Sequence, residues 1–142
     1  MAKTEQSITI NAPVEKVFSY ICDPMNQLEW LPSITDVRDI VGEGVGQKSG
    51  WTYKMMGVSF KGENEVVESV ANQRIVIKST GGIQSTWNWA FKSENGKTVV
   101  NLSVEYNIPV PVLGKVAEKL VLRQNEREAK LAMTNIKDRL ES

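Results

Sequence analysis

The last thirty residues carry a hydrophobic repeat of helical period, which predicts one long helix over 112–140. Its apolar positions form two groups: Leu113, Val116, Ala117, Leu120 and Val121 near the start, and Ala129, Ala132, Met133, Ile136 and Leu140 near the end. Between them, residues 123–128 include no apolar side chain. At about 100° per residue one face carries in order Val121, Asn125, Glu128 and Ala132, with Gln124 at its margin. The helix therefore either lifts off its packing surface there or covers a space that protein does not fill.

The rest of the chain alternates between apolar and polar positions in a way that predicts seven strands and two short helices. The predicted strands span 4–10, 34–41, 47–55, 58–67, 74–79, 84–93 and 99–108. The first short helix is predicted at 13–22, because proline at a first helical turn loses no needed hydrogen bond. The second is predicted at 25–31, where Pro32 closes it. The order is strand, two helices, six strands and a long helix.

The last predicted hairpin has two chemically different faces. Asn95 and Gly96 between its strands favour a tight turn with positive φ. One face collects the large apolar side chains Trp87, Trp89, Phe91, Val100, Leu102, Val104 and Tyr106, and the other the polar side chains Thr86, Asn88, Asn101, Ser103 and Glu105. This pattern is typical of an antiparallel sheet with a helix on one side and water on the other, so an α+β fold is expected.

Composition limits the possible classes of protein. A chain of 142 residues is near the usual size of one domain, so we expect a single domain over 1–142. No apolar run approaches the roughly 18 residues of a membrane span, and no integral membrane association is expected. The 17 basic residues equal the 17 acidic residues in number, which argues against nucleic acid as a partner.

The chain has no histidine and one cysteine, which excludes several kinds of chemistry. Histidine-based triads, imidazole general bases and the usual zinc sites all need the missing side chain, and no cofactor is expected. Cys22 lies on the apolar side of its predicted helix and is interpreted as a buried structural thiol. The first six residues lack the apolar core of a secretory signal, so a cytoplasmic location is expected.

Two local motifs suggest chemistry but have simpler explanations. The glycine-rich stretch 42–49 resembles a phosphate loop, yet Gln47 stands where the pattern needs glycine, and a strand follows instead of a helix. We interpret it as a hairpin loop. Glu63 and Glu65 share a strand face, but Lys61 shares it too, so the pair is expected to face water.

The order of elements and several short motifs resemble one known family. The motifs are ITINAPVEKVF at 8–18, Trp30-Leu31-Pro32, the glycines of 42–46 before Trp51, and IKDRLE at 136–141. The chain resembles the START-like (SRPBCC) superfamily of helix-grip proteins, in its polyketide cyclase/dehydrase-like branch, over essentially its whole length. The resemblance implies a seven-stranded curved antiparallel sheet that holds the long C-terminal helix, with a ligand cavity between them.

The inward aromatic side chains and the polar middle of the last helix together predict such a cavity. Aromatic residues at strand spacing also occur in filled cores, so a solid interior stays the alternative. Buried amide and carboxylate groups without partners cost about 1–3 kcal/mol each, which favours water or a ligand beside them. The candidate lining residues are Trp51, Tyr53, Met55, Phe60, Asn64, Trp87, Trp89, Leu102, Tyr106, Val121, Asn125 and Glu128.

Three functions compete. The first is binding or transport of a hydrophobic or amphipathic small molecule in the cavity. The second, implied by the resemblance, is an aromatase/cyclase or dehydratase acting on a poly-keto or lipid-like substrate without metal or histidine; Tyr53, Tyr106, Glu128 and Asn64 are its available groups, and the catalytic residues stay unassigned. The third is interaction with another protein, for which no large apolar patch is indicated.

Overall fold

The computed structural model describes residues 2–55, 57–81, 84–107 and 110–142, with the side chains of residues 2, 55, 110–118 and 121 excepted. Within these ranges the elements follow the predicted order. The strands are β1 (Ala2–Ile10), β2 (Ile34–Val41), β3 (Lys48–Met55), β4 (Val58–Val70), β5 (Arg74–Thr80), β6 (Gln84–Glu94) and β7 (Lys97–Asn107). The helices are α1 (Val14–Cys22), α2 (Gln27–Trp30) and α3 (Val110–Glu141). None of these helices is long and apolar enough to cross a membrane.

The strands form one curved antiparallel sheet in the order β1-β7-β6-β5-β4-β3-β2. Since β1 and β2 lie at opposite edges, the segment containing α1 and α2 joins one edge to the other. In it α1 contacts β6 and β7, while α2 contacts β2 and α3. The three helices thus lie on one side of the sheet, as the α+β helix-grip prediction requires.

Burial along the strands follows the predicted alternation. In β7 the inward residues Val100, Leu102, Val104 and Tyr106 are buried, while Asn101 and Glu105 are exposed. Asn95 and Gly96 have φ of 53° and 79°, which confirms the predicted tight turn between β6 and β7. Glu63 and Glu65 are exposed, and the glycine-rich loop leads into β3, so neither motif marks an active site or a phosphate loop.

The second half of α3 packs on one end of the sheet and closes the core there. Its residues Ala132, Met133, Ile136 and Leu140 are buried beside side chains of α1, β1, β6 and β7 such as Val17, Ile10, Phe91 and Val100. Phe18 meets Phe91 edge to face, with ring centroids 5.2 Å apart. Thr98 is fully buried and its Oγ1 donates a hydrogen bond of 2.8 Å to the carbonyl oxygen of Ala12.

Most predicted boundaries differ from the structure by one or two residues, and three of the differences show their physical cause. The segment predicted as one helix at 25–31 is a 3₁₀ turn at Pro24–Asn26 followed by α2, because the Asp23 side chain accepts from the backbone N–H of Met25 and tightens the first turn. Strand β4 continues to Val70, since a register shift between Val66 and Glu68 lets pairing with β5 resume. Helix α3 begins at Val110, and its first turn accommodates Pro111. The predicted strand end at 108 lies outside the described residues.

Candidate ligand-binding cavity

A cavity of about 100 Å³ lies between the sheet and the helices. The space needed for one water is roughly 10–15 Å³, and an engineered cavity of about 150 Å³ in another protein holds benzene. The cavity is partly open, so a ligand larger than benzene extends along the opening or widens it. The lining side chains are Ile21, Gln27, Trp30, Leu31, Ile34, Trp51, Tyr53, Phe60, Asn64, Ile77, Ser79, Ser85, Trp87, Trp89, Tyr106 and Asn125.

Eight of the twelve predicted lining residues border this cavity. They are Trp51, Tyr53, Phe60, Asn64, Trp87, Trp89, Tyr106 and Asn125. The side chains of Met55 and Val121 lie outside the described residues. Among the side chains that are described, Leu102 and Glu128 are not part of the lining.

The predicted lining role of Leu102 is corrected by the structure, because α3 fills the space at one end of the sheet. It faces inward as predicted, but only 1% of its surface is accessible, and it belongs to the closed core with Met133 and Ile136. Alternation along β7 identifies the inward face, but it does not say where along that face the side chains of α3 stop filling the space.

Glu128 is also a correction, because it is not among the residues that line the cavity. Its Oε1 accepts a hydrogen bond of 3.1 Å from Nε2 of Gln124, one helical turn earlier. Its Oε2 is buried and has no hydrogen-bond partner among the described residues. Asn125 is thus the residue of the polar middle of α3 that borders the cavity.

The aromatic wall is built by all four tryptophans of the chain. Trp89 is packed edge to face against Trp30, with centroids 5.6 Å apart, and stacks on Trp87 at 6.3 Å. Trp51 and Tyr53 meet edge to face at 6.4 Å. Such offset and perpendicular pairs are the favoured arrangements of aromatic rings, so the wall is a packed layer that borders the empty space.

Trp51 takes its position because its cross-strand partner on β4 is Gly62. A methyl group at Gly62 would meet the Trp51 ring, with Cη2 at 2.8 Å, and the Thr80 carbonyl oxygen even more closely. The absence of a side chain at Gly62 therefore leaves room for the Trp51 indole beside β4.

Several polar groups border the cavity and are only partly paired. Ser79 donates its hydroxyl hydrogen to Asn64 Oδ1. The indole N–H of Trp87 donates to Ser85 Oγ at 3.1 Å. The hydroxyl of Tyr106 donates to Thr4 Oγ1 at 3.2 Å. The indole N–H groups of Trp30 and Trp51 are buried without an acceptor within the described ranges. A buried donor without an acceptor lowers the stability of the fold, and an acceptor atom on a ligand could remove that loss.

The lining is electrically neutral as far as its side chains are described, since none of the sixteen is acidic or basic. Burial, with a smaller effect of the Glu128 charge, raises the pKa of Tyr53 to about 12. Burial also raises the pKa of Tyr106. Both phenols thus keep their protons at neutral pH and can donate hydrogen bonds, but they cannot serve as bases. A charged ligand group would lose its hydration here without gaining a counter-charge.

Cys22 is partly buried next to this region, and burial raises its pKa to about 12. It therefore stays a thiol, as the interpretation of a structural cysteine requires. Among the described residues no group of three or more Cys, Asp or Glu side chains is arranged as metal ligands.

The sequence patterns missed two sets of lining residues. Ile21, Gln27, Trp30, Leu31 and Ile34 come from α1, α2 and the start of β2, and no periodicity within those short elements shows that they face the sheet across an empty space. Ser79 and Ser85 lie on the inner face because Ile77 and Trp87 do, two residues away on the same strands. Alternation could have assigned them to that face.

A family model described as polyketide cyclase / dehydrase and lipid transport matches residues 1–141. The structure of TTHA0849 from Thermus thermophilus superposes with a TM-score of 0.86, at 22% identity over 98% of this chain and 97% of that one. The ZhuI aromatase/cyclase from Streptomyces sp. R1128 gives 0.82, at 16% identity over 99% and 93%. A START superfamily protein from Mycobacterium smegmatis gives 0.76, at 16% identity over 98% and 97%. No curated protein sequence matches the chain.

Proposed function

The chain belongs to the polyketide cyclase / dehydrase and lipid transport family, in the START-like superfamily, and from this we propose that it binds a neutral hydrophobic small molecule in the cavity beneath α3. The observation that carries the proposal is the neutral, aromatic lining of a cavity that protein does not fill. Pockets of this kind, mostly apolar with a few polar groups, are typical of small-molecule sites.

The character of the lining argues for a neutral ligand over a fatty acid or a phosphate ester. A carboxylate or phosphate moved from water into this cavity would find no cationic side chain among the described lining residues. Transfer of an unpaired charge into an apolar site costs far more than transfer of a hydroxyl or carbonyl group. Flat aromatic or polycyclic molecules match the rings of this wall, in which Trp87 stacks on Trp89 and Trp51 meets Tyr53 edge to face.

The test compares two ligands of nearly the same shape, 1-naphthol and 1-naphthoate, by titration of the tryptophan fluorescence. Because all four tryptophans line the cavity, saturable quenching reports its occupation. We expect 1-naphthol to saturate and the carboxylate to bind at least about 10-fold more weakly. No saturable quenching by 1-naphthol would refute the proposal.

A matched pair of variants ties the binding to the cavity. Asn125→Leu places a branched apolar side chain into the space from α3, whereas Glu126→Leu places the same side chain on the exposed neighbouring position. Asn125→Leu is expected to lower the 1-naphthol affinity by about 10-fold and to raise the free energy of unfolding by about 1–2 kcal/mol, at about 0.8 kcal/mol per buried methylene. Glu126→Leu is expected to leave the affinity unchanged. Equal affinity in both variants would place the ligand elsewhere.

Catalysis of a cyclase or dehydratase type is the alternative. The high TM-score to an aromatase/cyclase favours it, and the protonated phenol of Tyr53 can donate to a carbonyl oxygen. A group that accepts a proton is missing from the described lining, which argues for binding as the main role. The alternative requires turnover of a poly-keto compound that falls in Tyr106→Phe and Glu128→Gln; unchanged turnover in both would exclude those residues from catalysis.

We propose further that residues 1–142 act as one ligand-binding unit in the cytosol, without a cofactor. The family match extends over residues 1–141, and the lone Cys22 is a thiol that needs no oxidising compartment. Equal numbers of basic and acidic residues offer no electrostatic attraction to nucleic acid.

A further inference from the structure

One row of inward residues crosses the sheet and is polar on five neighbouring strands. It consists of Ser49, Asn64, Ser79, Ser85 and Tyr106, and we call it the polar row. Each member is the cross-strand partner of the next: Ser49 pairs with Asn64, Asn64 with Ser79, Ser79 with Ser85, and Ser85 with Tyr106. The last four line the cavity, and Ser49 lines a space of about 10 Å³ that Asn64 also borders.

The sheet residues next to this row are apolar where they border the cavity. The adjacent inward row, two residues along each strand, is Val66, Ile77, Trp87 and Val104, all of them apolar. On the other side of the polar row, β3 contributes Trp51, opposite Gly62 of β4, and Phe60 lies one inward row farther, opposite Tyr53. A ligand in the cavity thus meets one continuous polar row on the sheet, and the polar groups of Gln27, Tyr53 and Asn125 outside that row.

The hydrogen bonds already made in the polar row leave an alternating set of free groups. Ser79 uses its hydrogen on Asn64 and keeps its oxygen as an acceptor. Ser85 Oγ receives the Trp87 N–H, so its own hydrogen stays free to donate. Tyr106 uses its hydrogen on Thr4 and keeps its oxygen as an acceptor. Within the described ranges the amide N–H groups of Asn64 have no acceptor, so donor, acceptor, donor and acceptor alternate across four strands.

The spacing of these groups is set by the sheet. Neighbouring strands lie about 4.7–4.9 Å apart, and opposed side chains lie about 4.5–5.5 Å apart at Cβ. Hydroxyl groups in a meta relation on an aromatic ring are separated by nearly the same distance, while those in an ortho relation are much closer. One ligand hydroxyl can donate its hydrogen to the Ser79 oxygen, and a second, on the next strand, can accept the hydrogen of Ser85. A ketone oxygen can only accept, so it would bond Ser85 and leave the Ser79 oxygen without a donor.

From this we propose that the polar row selects a neutral aromatic ligand with two hydroxyl groups one strand spacing apart, one on Ser79 and one on Ser85. This inference rests on the proposed binding function, because it assumes that a ligand occupies the cavity. It adds the chemical class: an aromatic diol of the meta type, with its ring on the tryptophan wall and its oxygen atoms along the polar row.

The test uses one ring skeleton: naphthalene, 1,3-dihydroxynaphthalene and its isomer 2,3-dihydroxynaphthalene. Dissociation constants come from NMR titrations of the four indole N–H signals. We expect the 1,3-diol to bind about 2- to 12-fold more tightly than the 2,3-diol for each additional hydrogen bond that the 1,3-diol makes. The two isomers have the same atoms, so hydrophobic transfer differs little between them.

The variants Ser79→Ala and Ser85→Ala each remove one hydroxyl, and Ser103→Ala on the outer face of β7 is the matched control. Each inward variant is expected to lower the affinity for the 1,3-diol about 2- to 12-fold and to leave that for naphthalene unchanged. The control is expected to change neither. Thermal unfolding checks that the variants fold. If a variant does not fold, the ratio of the dissociation constants of the two isomers in the unsubstituted protein still tests the proposal.

The outcomes separate the two proposals. Binding of naphthalene with no preference between the isomers, or an isomer preference that survives both serine variants, overturns the role of the polar row and leaves the binding function standing. Failure of all three compounds and of 1-naphthol to bind overturns both.

Discussion

Gly62→Ala probes the close packing of the Trp51 indole on β4, at the border of the cavity. The new methyl group would collide with two neighbours, the indole of Trp51, whose Cη2 would lie at 2.8 Å, and the carbonyl oxygen of Thr80. The carbonyl belongs to the backbone of β5 and cannot rotate away. Either β4 and β5 separate at this point or the indole leaves its place on the sheet and enters the cavity.

The expected cost follows from two opposing effects. Insertion of a methyl group into a packed site costs about 1–3 kcal/mol, and the backbone contact here argues for the upper half of that range. Replacement of glycine by alanine lowers the entropy of the unfolded chain, which stabilises by about 0.4–1 kcal/mol. The net expectation is a loss of about 2 kcal/mol in the free energy of unfolding, or roughly 8 °C in Tm for a chain of this size.

Gly50→Ala is the control on the adjacent strand. The three atoms nearest to its Cβ would all belong to the flexible side chain of Arg38, with Cγ at 3.2 Å, and Gly50 does not have a positive φ. Its stability is expected to stay equal or to rise by up to about 1 kcal/mol. Urea denaturation measures both variants, and the 1-naphthol affinity should fall about 10-fold in Gly62→Ala alone. If Gly62→Ala is as stable as Gly50→Ala and binds 1-naphthol normally, the packing argument is wrong.

Three further predictions concern pH and buried groups. Burial raises the pKa of Tyr53 from 10.0 to about 12, so the folded state holds this proton more tightly than the unfolded chain does. The resulting contribution to stability is fully present below pH 10 and is lost as pH rises toward 12. Tyr53→Phe should reduce that loss of stability in alkaline urea titrations. Cys22, whose pKa is raised from 9.0 to about 12, should carry roughly 1000-fold less thiolate than the unfolded chain and should react with a disulfide reagent only after unfolding; fast labelling of the folded protein would contradict this. Thr98→Val should cost about 1–3 kcal/mol, because the Ala12 carbonyl oxygen loses its buried partner; a neutral result in urea denaturation would mean that water replaces the hydroxyl.

The parts of the fold that the sequence predicts best are those in which one local pattern suffices. The β6–β7 hairpin combines complete alternation with a turn dipeptide, and the observed pairing of Ser93 with Thr98 and of Glu94 with Lys97 follows from both. The shift between Val66 and Glu68 depends on the partner strand β5, which the sequence of β4 does not contain. The 3₁₀ turn before α2 similarly depends on a side-chain cap from Asp23.

The cavity residues also fall into those that a local sequence pattern predicts and those that depend on packing between elements. Alternation identifies Trp51, Tyr53, Trp87 and Tyr106 as inward, and the polar middle of the last helix marks where the interior is not filled. Leu102 has the same alternation and is wrong as a lining residue, since the packing of α3 decides which inward residues border empty space. The polar row depends on the register of five strands, which becomes visible only when they are paired.

The central claim is that a neutral aromatic ligand occupies the space between the sheet and α3, and a crystal structure of the protein with 1-naphthol tests it most directly. The account predicts ligand density bounded by Trp51, Trp87 and Asn125, with the ring against the tryptophans and the hydroxyl at the polar row. An interior filled by side chains, or density only on the outer face of the sheet, would contradict it.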